Sequence, residues 1–185
     1  MKKKSSVYHM AVCALMAAVM AVVGPMSIPI GAIPISFTNM VICLAVCLLG
    51  MKWGTVSVLV YLLLGACGLP VFSSYTGGLA KFVGPTGGYL IGDILLALIA
   101  GFFVVKFGNQ IGWNIVGMVL GTIVLYAFGT AWFVILMQCS VWTALLQCVF
   151  PFLIFDALKI IFAALVGSVV RRQLIKASLI EAKIA

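Results

Sequence analysis

The stretch GLPVFSSYTGGLAKFVGPTGGYLIG, residues 68–92, interrupts an otherwise apolar chain with seven glycines and two prolines. Glycine lets a backbone approach another backbone or a ligand closely, and proline favours the first turn of a helix. Irregular backbone is tolerated at membrane depth only where protein or a water-filled cavity satisfies its polar groups. A Gly-rich loop that enters a helix through residues 84–89 therefore predicts one wall of a binding pocket; the alternative is a merely flexible loop.

The composition of the whole chain is that of an integral membrane protein. Of its 185 residues, 65% are hydrophobic and 8% are charged, and the mean hydropathy is +1.34. Soluble domains carry about 25% charged residues. The net charge of +8 does not indicate a nucleic-acid partner, because the basic residues lie mainly at the chain ends, as in cytoplasmic segments of membrane proteins. We expect a single membrane domain over residues 1–185, embedded in the lipid bilayer.

Six transmembrane helices account for the apolar runs. We predict them at residues 6–24, 36–50, 54–67, 86–106, 112–137 and 151–174, with a short interfacial helix at residues 141–149. An even number of spans places both termini on one side, as the basic residues at both ends require. The predicted fold is thus an all-α bundle of six transmembrane helices with cytoplasmic termini. The loop at residues 25–34 and the Gly-rich stretch then face outward, so the ligand pocket is predicted near the extracellular face.

Two of the three acidic residues fall within predicted membrane helices. Asp156 and Lys159 are three residues apart and therefore share one face of the last helix. Charged side chains at such depth are costly and usually serve function. One possibility is an ion pair that only neutralises itself. The other is the polar floor of a pocket, in which Asp156 accepts hydrogen bonds from ligand N–H groups and Lys159 faces a ligand oxygen. We favour the pocket floor, because the pair lies level with the Gly-rich wall.

Further polar residues are candidates for the same pocket. Asp93 follows Tyr89 by four residues on one helix face, and it either lines the pocket or pairs with Lys81 or a backbone group. Asn39, near the outer end of the second helix, is either a ligand contact or a hydrogen bond between helices. Ser74, within the Gly-rich stretch, is another candidate for a substrate contact.

The sequence offers little support for enzyme chemistry. The six cysteines and the single histidine, His9, show no metal-ligand spacing, and neither a P-loop nor a catalytic triad can be assembled. We predict no catalytic residue, no metal and no cofactor. The second interpretation is a membrane-embedded enzyme for a lipid-like substrate, with Asp93 as the catalytic partner of Asp156. A channel is disfavoured, because too few polar residues line any one path.

The first predicted helix carries small residues at four-residue spacing. Ala14 and Ala18 are one turn apart, and so are Ala17 and Ala21. Small residues allow two helices to approach closely in lipid, where no hydrophobic force drives their association. These alanines serve either packing inside the bundle or docking of a partner protein, and composition leaves both possibilities open.

Taken together, these stretches resemble the BioY family, the biotin-specific substrate-binding (S) components of energy-coupling factor (ECF) transporters. The matching segments are IPIGAIPISFTNM, YLLLGACGLPVF, GPTGGYLIG and PFLIFDALK, which cover most of the span from the first to the last predicted helix. GPTGGYL followed by PF…D-x-x-K is quite specific, since a generic six-helix protein would not carry both. The resemblance implies a six-helix fold that binds the vitamin near its outer face.

The resemblance also implies roles for individual residues. Asp156 and Lys159 occupy the D-x-x-K positions at the polar end of biotin, and Tyr89 matches the tyrosine that closes GPTGGY. Ala14 and Ala18 resemble the A-x-x-x-A surface on which S components dock. The partners implied are a transmembrane coupling protein and two ATPase subunits.

Two departures from the family pattern bear on the site. Many members carry a glutamine in a P-I-T-x-Q motif where this chain has Thr38, with Asn39 beside it, so the resemblance does not fix the contact from the second helix. Asp93 stands where we expect the family to have an apolar residue. Apolar or aromatic walls for the sulfur ring and alkyl tail are expected from Phe72 and Tyr75, beside the tyrosine of GPTGGY.

Overall fold

The computed structural model describes residues 6–28, 33–108 and 110–177. Within these ranges the regular secondary structure is helical apart from two short strands, β1 (Ser27–Ile28) and β2 (Ile35–Ser36), which pair antiparallel. The helices are α1 (Ser6–Val23), α2 (Thr38–Ala66), α3 (Ala80–Val83), α4 (Gly87–Lys106), α5 (Ile111–Met137), α6 (Val141–Cys148) and α7 (Phe150–Lys176). Of these described helices, α2, α4, α5 and α7 are long and apolar enough to cross a membrane, and α1 is a shorter apolar helix.

Helix α2 folds back on itself at Gly50. This residue has φ 77° and ψ −174°, a conformation that glycine adopts without strain. A Cβ added to Gly54 would lie 2.9 Å from the Cα of Val46, whereas residues eight apart in a straight helix are about 12 Å apart. The two halves, residues 38–49 and 51–66, therefore run side by side as a helical hairpin. The sequence predicts a turn at residues 50–54, but the helix resumes at Met51.

Helix α4 is central to the bundle, packed against both α5 and the α2 hairpin, while α1 and α7 pack against α2. Glycines permit the close approach of α4 and α5. A Cβ on Gly92 would lie 2.7 Å from Leu125 Cδ1, and one on Gly121 would lie 2.8 Å from Leu96 Cδ1. Substitution of either glycine would therefore push the two helices apart.

The two ends of the bundle differ in character. At one end, Cys13 of α1 donates a hydrogen bond to the Trp53 carbonyl at 3.0 Å, and Arg171 of α7 donates to the Leu48 carbonyl at 2.7 Å. Helix α1 therefore begins, and α7 ends, near the turn of the α2 hairpin. The segments that connect α1 to α2, α2 to α4 and α6 to α7 lie at the opposite end, where the polar residues of the candidate site gather.

Candidate functional site

A cavity of about 670 Å³ opens at the end of the bundle opposite the α2 turn. Its walls come from the Gly-rich stretch, the start of α4, the strand β2, and α2, α5 and α7. The volume lies within the roughly 300–1,000 Å³ that is typical of small-molecule sites. The substrate contacts predicted from the sequence all line this one cavity: Asn39, Ser74, Tyr89, Asp156 and Lys159.

The Asp156–Lys159 pair is part of a hydrogen-bonded network on the cavity wall. Lys159 Nζ lies 2.8 Å from Asp156 Oδ1 and donates to the Ser36 carbonyl at 2.7 Å. The hydroxyl of Tyr126 donates to Asp156 Oδ2 at 2.5 Å. The ring of Phe37 lies 5.6 Å from Lys159 Nζ. Because these contacts come from α5 and from the strand β2, the pair also ties α7 to its neighbours and is not a private ion pair.

Both members of the pair keep capacity for a ligand. An ammonium has three N–H donors, and Lys159 uses two of them within the described part of the chain. A carboxylate has about four acceptor sites, and Asp156 uses one on each oxygen. Both side chains are buried, at 4% and 7% exposure, yet both line the cavity. The wall therefore presents one donor and one or more acceptors to a polar group inside.

Aromatic residues form the walls beside this polar floor. The Tyr89 hydroxyl lies 3.3 Å from Thr130 Oγ1, which holds its ring against α5. Phe72 is buried and packs edge-on against Phe82, with ring centroids 5.7 Å apart. Trp132 Nε1 donates to the Gly84 carbonyl at 3.0 Å and so fixes the loop that leads into α4. These contacts give the cavity apolar sides of defined shape.

The expectation that Tyr75 forms a wall is wrong. Its side chain is 69% exposed and is not part of the cavity lining. Phe72 and Thr76 pair across a tight turn in which Ser74 (φ 60°) and Tyr75 (φ 56°) both adopt left-handed backbone conformations. The turn directs the tyrosine ring outward and leaves Phe72 to line the cavity.

Ser74 also joins the Gly-rich stretch to the loop that follows α1. Its backbone N–H donates to the Pro25 carbonyl at 3.1 Å and to Ser27 Oγ at 3.0 Å, and its hydroxyl lies 3.1 Å from Ser27 Oγ. Ile33 and Pro34, at the end of that loop, line the cavity. The two predicted loops therefore meet over the cavity, although residues 29–32 lie outside the described part of the chain.

Asn39 and Asp93 line the cavity, and their side chains form no hydrogen bond to another described residue. The alternative role for Asn39, a hydrogen bond between helices, is therefore not seen in the described part of the chain. Lys81 lines the same cavity, but the described residues form no ion pair between it and Asp93. Asp93 is 5% exposed, so its carboxylate is buried and turned to the cavity.

Sequence reasoning missed Tyr126, which holds the carboxylate of Asp156. One signal was available, because Thr122, Tyr126 and Thr130 recur every four residues along the apolar α5 and so mark one polar face. The Thr122 hydroxyl donates a hydrogen bond to the Met118 carbonyl of its own helix, at 2.8 Å. Tyr126 and Thr130 direct theirs to cavity-lining residues instead.

The small residues of α1 divide between two faces. Ala17 is 1% exposed and belongs to the core, and Ala21 packs against that core. Ala14 and Ala18 are exposed on the other side of the helix. The structure thus leaves the Ala14–Ala18 face free of packing within the described chain.

Residues 1–176 match the family model described as the BioY family. The chain belongs to the BioY family. The biotin transporter BioY of Thermotoga maritima is 39% identical over 142 residues, which are 76% of this chain and 82% of that protein. The biotin transporter BioY2 of Lactococcus lactis is 31% identical over 93% of this chain and 94% of that protein.

The fold comparison agrees with the family. The crystal structure of the S-component for biotin from an ECF-type ABC transporter superposes with a TM-score of 0.86 at 31% identity, covering 94% of this chain and 95% of that one. The resemblance to the BioY family is therefore confirmed. The family consists of transport proteins, so the interpretation as a membrane-embedded enzyme is wrong. With its long apolar helices, the chain is a multi-pass protein of the bacterial plasma membrane.

Proposed function

We propose that this protein is the biotin-binding S component of an ECF-type uptake transporter. It captures biotin at the outer face of the membrane and delivers it inward when coupled to an ATP-driven module. The observation that carries this proposal is the buried Asp156–Lys159 pair on the wall of a 670 Å³ cavity. Its context is a chain whose relatives are named biotin transporters.

The chemistry of biotin matches the lining of the cavity. Its ureido group offers two N–H donors and one carbonyl acceptor, which complement the free acceptor sites of Asp156 and the free donor of Lys159. Its sulfur ring and alkyl tail are apolar and suit the walls formed by Phe72, Tyr89 and Leu90. Asn39 and Ser74 add polar groups to the lining of the same cavity.

The membrane orientation follows from the two ends of the bundle. With the two halves of α2 counted separately, we assign six crossings of the bilayer to the described helices and place α6 at the outer interface. The end that holds the α2 turn carries Lys52, Lys106, Arg172 and Lys176, which the positive-inside rule places in the cytoplasm. The cavity then opens outward, where external biotin reaches it.

Transport requires energy that this chain does not supply. Its sequence contains no Gly-Lys pair and hence no P-loop for nucleotide hydrolysis. We assign this task to two ATPase subunits and a transmembrane coupling protein. The exposed Ala14–Ala18 face of α1 supports close docking of that coupling protein, because small residues let helices approach in lipid.

The central test is ligand binding by the isolated chain. We expect the purified protein to bind one biotin per chain without ATP, sodium or a partner, because the pocket is complete within one chain. Titration calorimetry in detergent measures this, and mass spectrometry detects biotin that co-purifies. Nicotinic acid, a vitamin that carries a carboxylate but no ureido group, serves as the control ligand and should give no heat. A folded protein that neither retains biotin nor gives heat on titration would contradict the proposal.

Biotin is also expected to order the loops above the cavity. Residues 73–78 and the loop after α1 meet at Ser74, and both contribute residues to the cavity wall. Bound biotin should therefore slow amide hydrogen exchange in peptides that cover residues 25–36 and 73–78. The turn at Gln138, which does not line the cavity, is the internal control and should exchange at an unchanged rate. If neither loop is protected, biotin binds elsewhere.

A further inference from the structure

Asp93 is a buried carboxylate for which the described part of the chain supplies no partner. It is 5% exposed and lines the same cavity as Asp156 and Lys159. Among the described residues, no cation forms an ion pair with it and no hydroxyl or amide donates to it. An acidic side chain inside a membrane bundle is costly and usually serves function.

The cavity-lining donors around Asp93 direct their hydrogen bonds elsewhere. The Tyr61 hydroxyl donates to the Val71 carbonyl at 3.1 Å, and the Tyr126 hydroxyl donates to Asp156. Tyr89, one turn earlier on the same helix, pairs with a threonine of α5. The space in front of the Asp93 carboxylate is the cavity itself, so its partner is expected to be the ligand.

We propose that Asp93 accepts a hydrogen bond from a ureido N–H of bound biotin, as a second recognition carboxylate beside Asp156. This inference rests on the proposed function. The ureido group carries one N–H donor on each side of its carbonyl. The cavity presents two carboxylates from different helices, α4 and α7. One carboxylate is therefore available for each N–H, while the free donor of Lys159 faces the ureido oxygen.

Charge fixes which end of biotin enters first. The valerate carboxylate is anionic at neutral pH, and the deep end of the cavity has no unpaired cation to receive it among the described residues, because Lys159 is already paired with Asp156. Lys81, on the short helix α3, lines the cavity and is half-buried, next to the exposed Leu79 and Val83. The ureido ring then lies deep, toward Asp93, and the valerate carboxylate lies near Lys81 at the mouth.

The test compares biotin with its two N-methyl derivatives, each of which lacks one ureido N–H. Calorimetry on the full chain in detergent gives three affinities for the wild type and for Asp93→Ala. The loss of a hydrogen bond predicts that Asp93→Ala weakens biotin binding by up to about tenfold. The wild type should discriminate against both derivatives. Asp93→Ala should bind one of the two derivatives with the same affinity as biotin, because the carboxylate that accepted a hydrogen bond from that nitrogen is missing.

The decisive result is that the effects of Asp93→Ala and of one N-methyl group on affinity are not additive. Non-additivity indicates direct contact between Asp93 and that nitrogen, whereas a general disturbance of the pocket would weaken all three ligands alike. Equal discrimination against each derivative by wild type and Asp93→Ala would overturn the inference, even if overall affinity fell. If Asp93→Ala does not fold, Asp93→Asn is used for the same comparison. Asparagine keeps an oxygen acceptor, so this variant should lose less affinity for biotin. The affinity ratio between biotin and its N-methyl derivative should then decrease for one of the two nitrogens only. A wild type that binds no biotin would instead reject the proposed function, whereas biotin binding with unchanged discrimination rejects only the role of Asp93.

Discussion

Replacing Asp156 by alanine is expected to lower the affinity for biotin by about a hundredfold or more. A hydrogen bond to a charged group contributes about 1.5–3 kcal/mol, and each 1.4 kcal/mol is a factor of ten in affinity. The substitution also leaves the Lys159 ammonium without its carboxylate, and breaking a buried ion pair costs the fold about 3–5 kcal/mol of stability. Among the described residues, the ammonium would then keep only the Ser36 carbonyl and the Phe37 ring as contacts. Calorimetry on the folded variant measures the loss.

Two companion variants separate ligand recognition from a structural role of the ion pair. Tyr126→Phe removes only the hydroxyl that holds Asp156 Oδ2 and should weaken binding by about tenfold or less. The double variant Asp156→Leu with Lys159→Met removes both charges, a change that is often neutral or stabilising for the fold. We expect it to keep its unfolding temperature and to lose biotin. A double variant that binds biotin like the wild type would show that the pair has no ligand role.

The charged pair shows how far the sequence predicts this site. Spacing of three residues was enough to place Asp156 and Lys159 on one helix face, and the structure puts both on the cavity wall. Their supporting contacts were not predictable in the same way. Ser36 contributes a backbone carbonyl from 123 residues away, and a carbonyl carries no signature in the sequence. Tyr126 lies 30 residues before Asp156, and only the packing of α5 on α7 brings them together.

Asp93 and Tyr75 show a second limit of sequence reasoning. Helical spacing placed Asp93 on the face of Tyr89, but it could not decide whether Lys81, a backbone group or a ligand is its partner. That depends on how the short helix α3 sits beside α4. For Tyr75, residue type favoured a wall of the pocket, whereas the left-handed backbone at positions 74 and 75 turns the ring outward.

The α2 hairpin shows that glycine has two roles which the sequence cannot distinguish. Gly50 and Gly54 together predict a five-residue turn, because both interrupt an apolar run. In the structure only Gly50 leaves the helical conformation. Gly54 is helical and provides space instead, since a Cβ there would lie 2.8 Å from Val46 Cγ1 on the opposing half. The turn was predicted at the right place, and its length was set by packing.

Tryptophan at Ala14 or Ala18 is expected to abolish ATP-driven biotin uptake and leave biotin binding unchanged. Both alanines are exposed on α1, and the polar floor of the cavity is built from other helices. Only small side chains allow two helices to approach closely in lipid, so an indole on this face would hold the coupling protein away. The variants should therefore lose co-purification with the coupling protein. A pull-down and a biotin-binding assay on one preparation measure both properties.

Two control variants decide whether the alanine face is specific. Ala17→Trp places the same side chain at a core position with 1% exposure, where overpacking should destabilise the fold and biotin binding together. Ile123 of α5 is 55% exposed, so Ile123→Trp should change neither biotin binding nor docking of the coupling protein. Loss of biotin binding by Ala14→Trp with the complex preserved would mean that this alanine serves internal packing. An equal loss of the complex in Ile123→Trp would mean that any lipid-facing tryptophan disturbs assembly, and α1 would cease to be the docking surface.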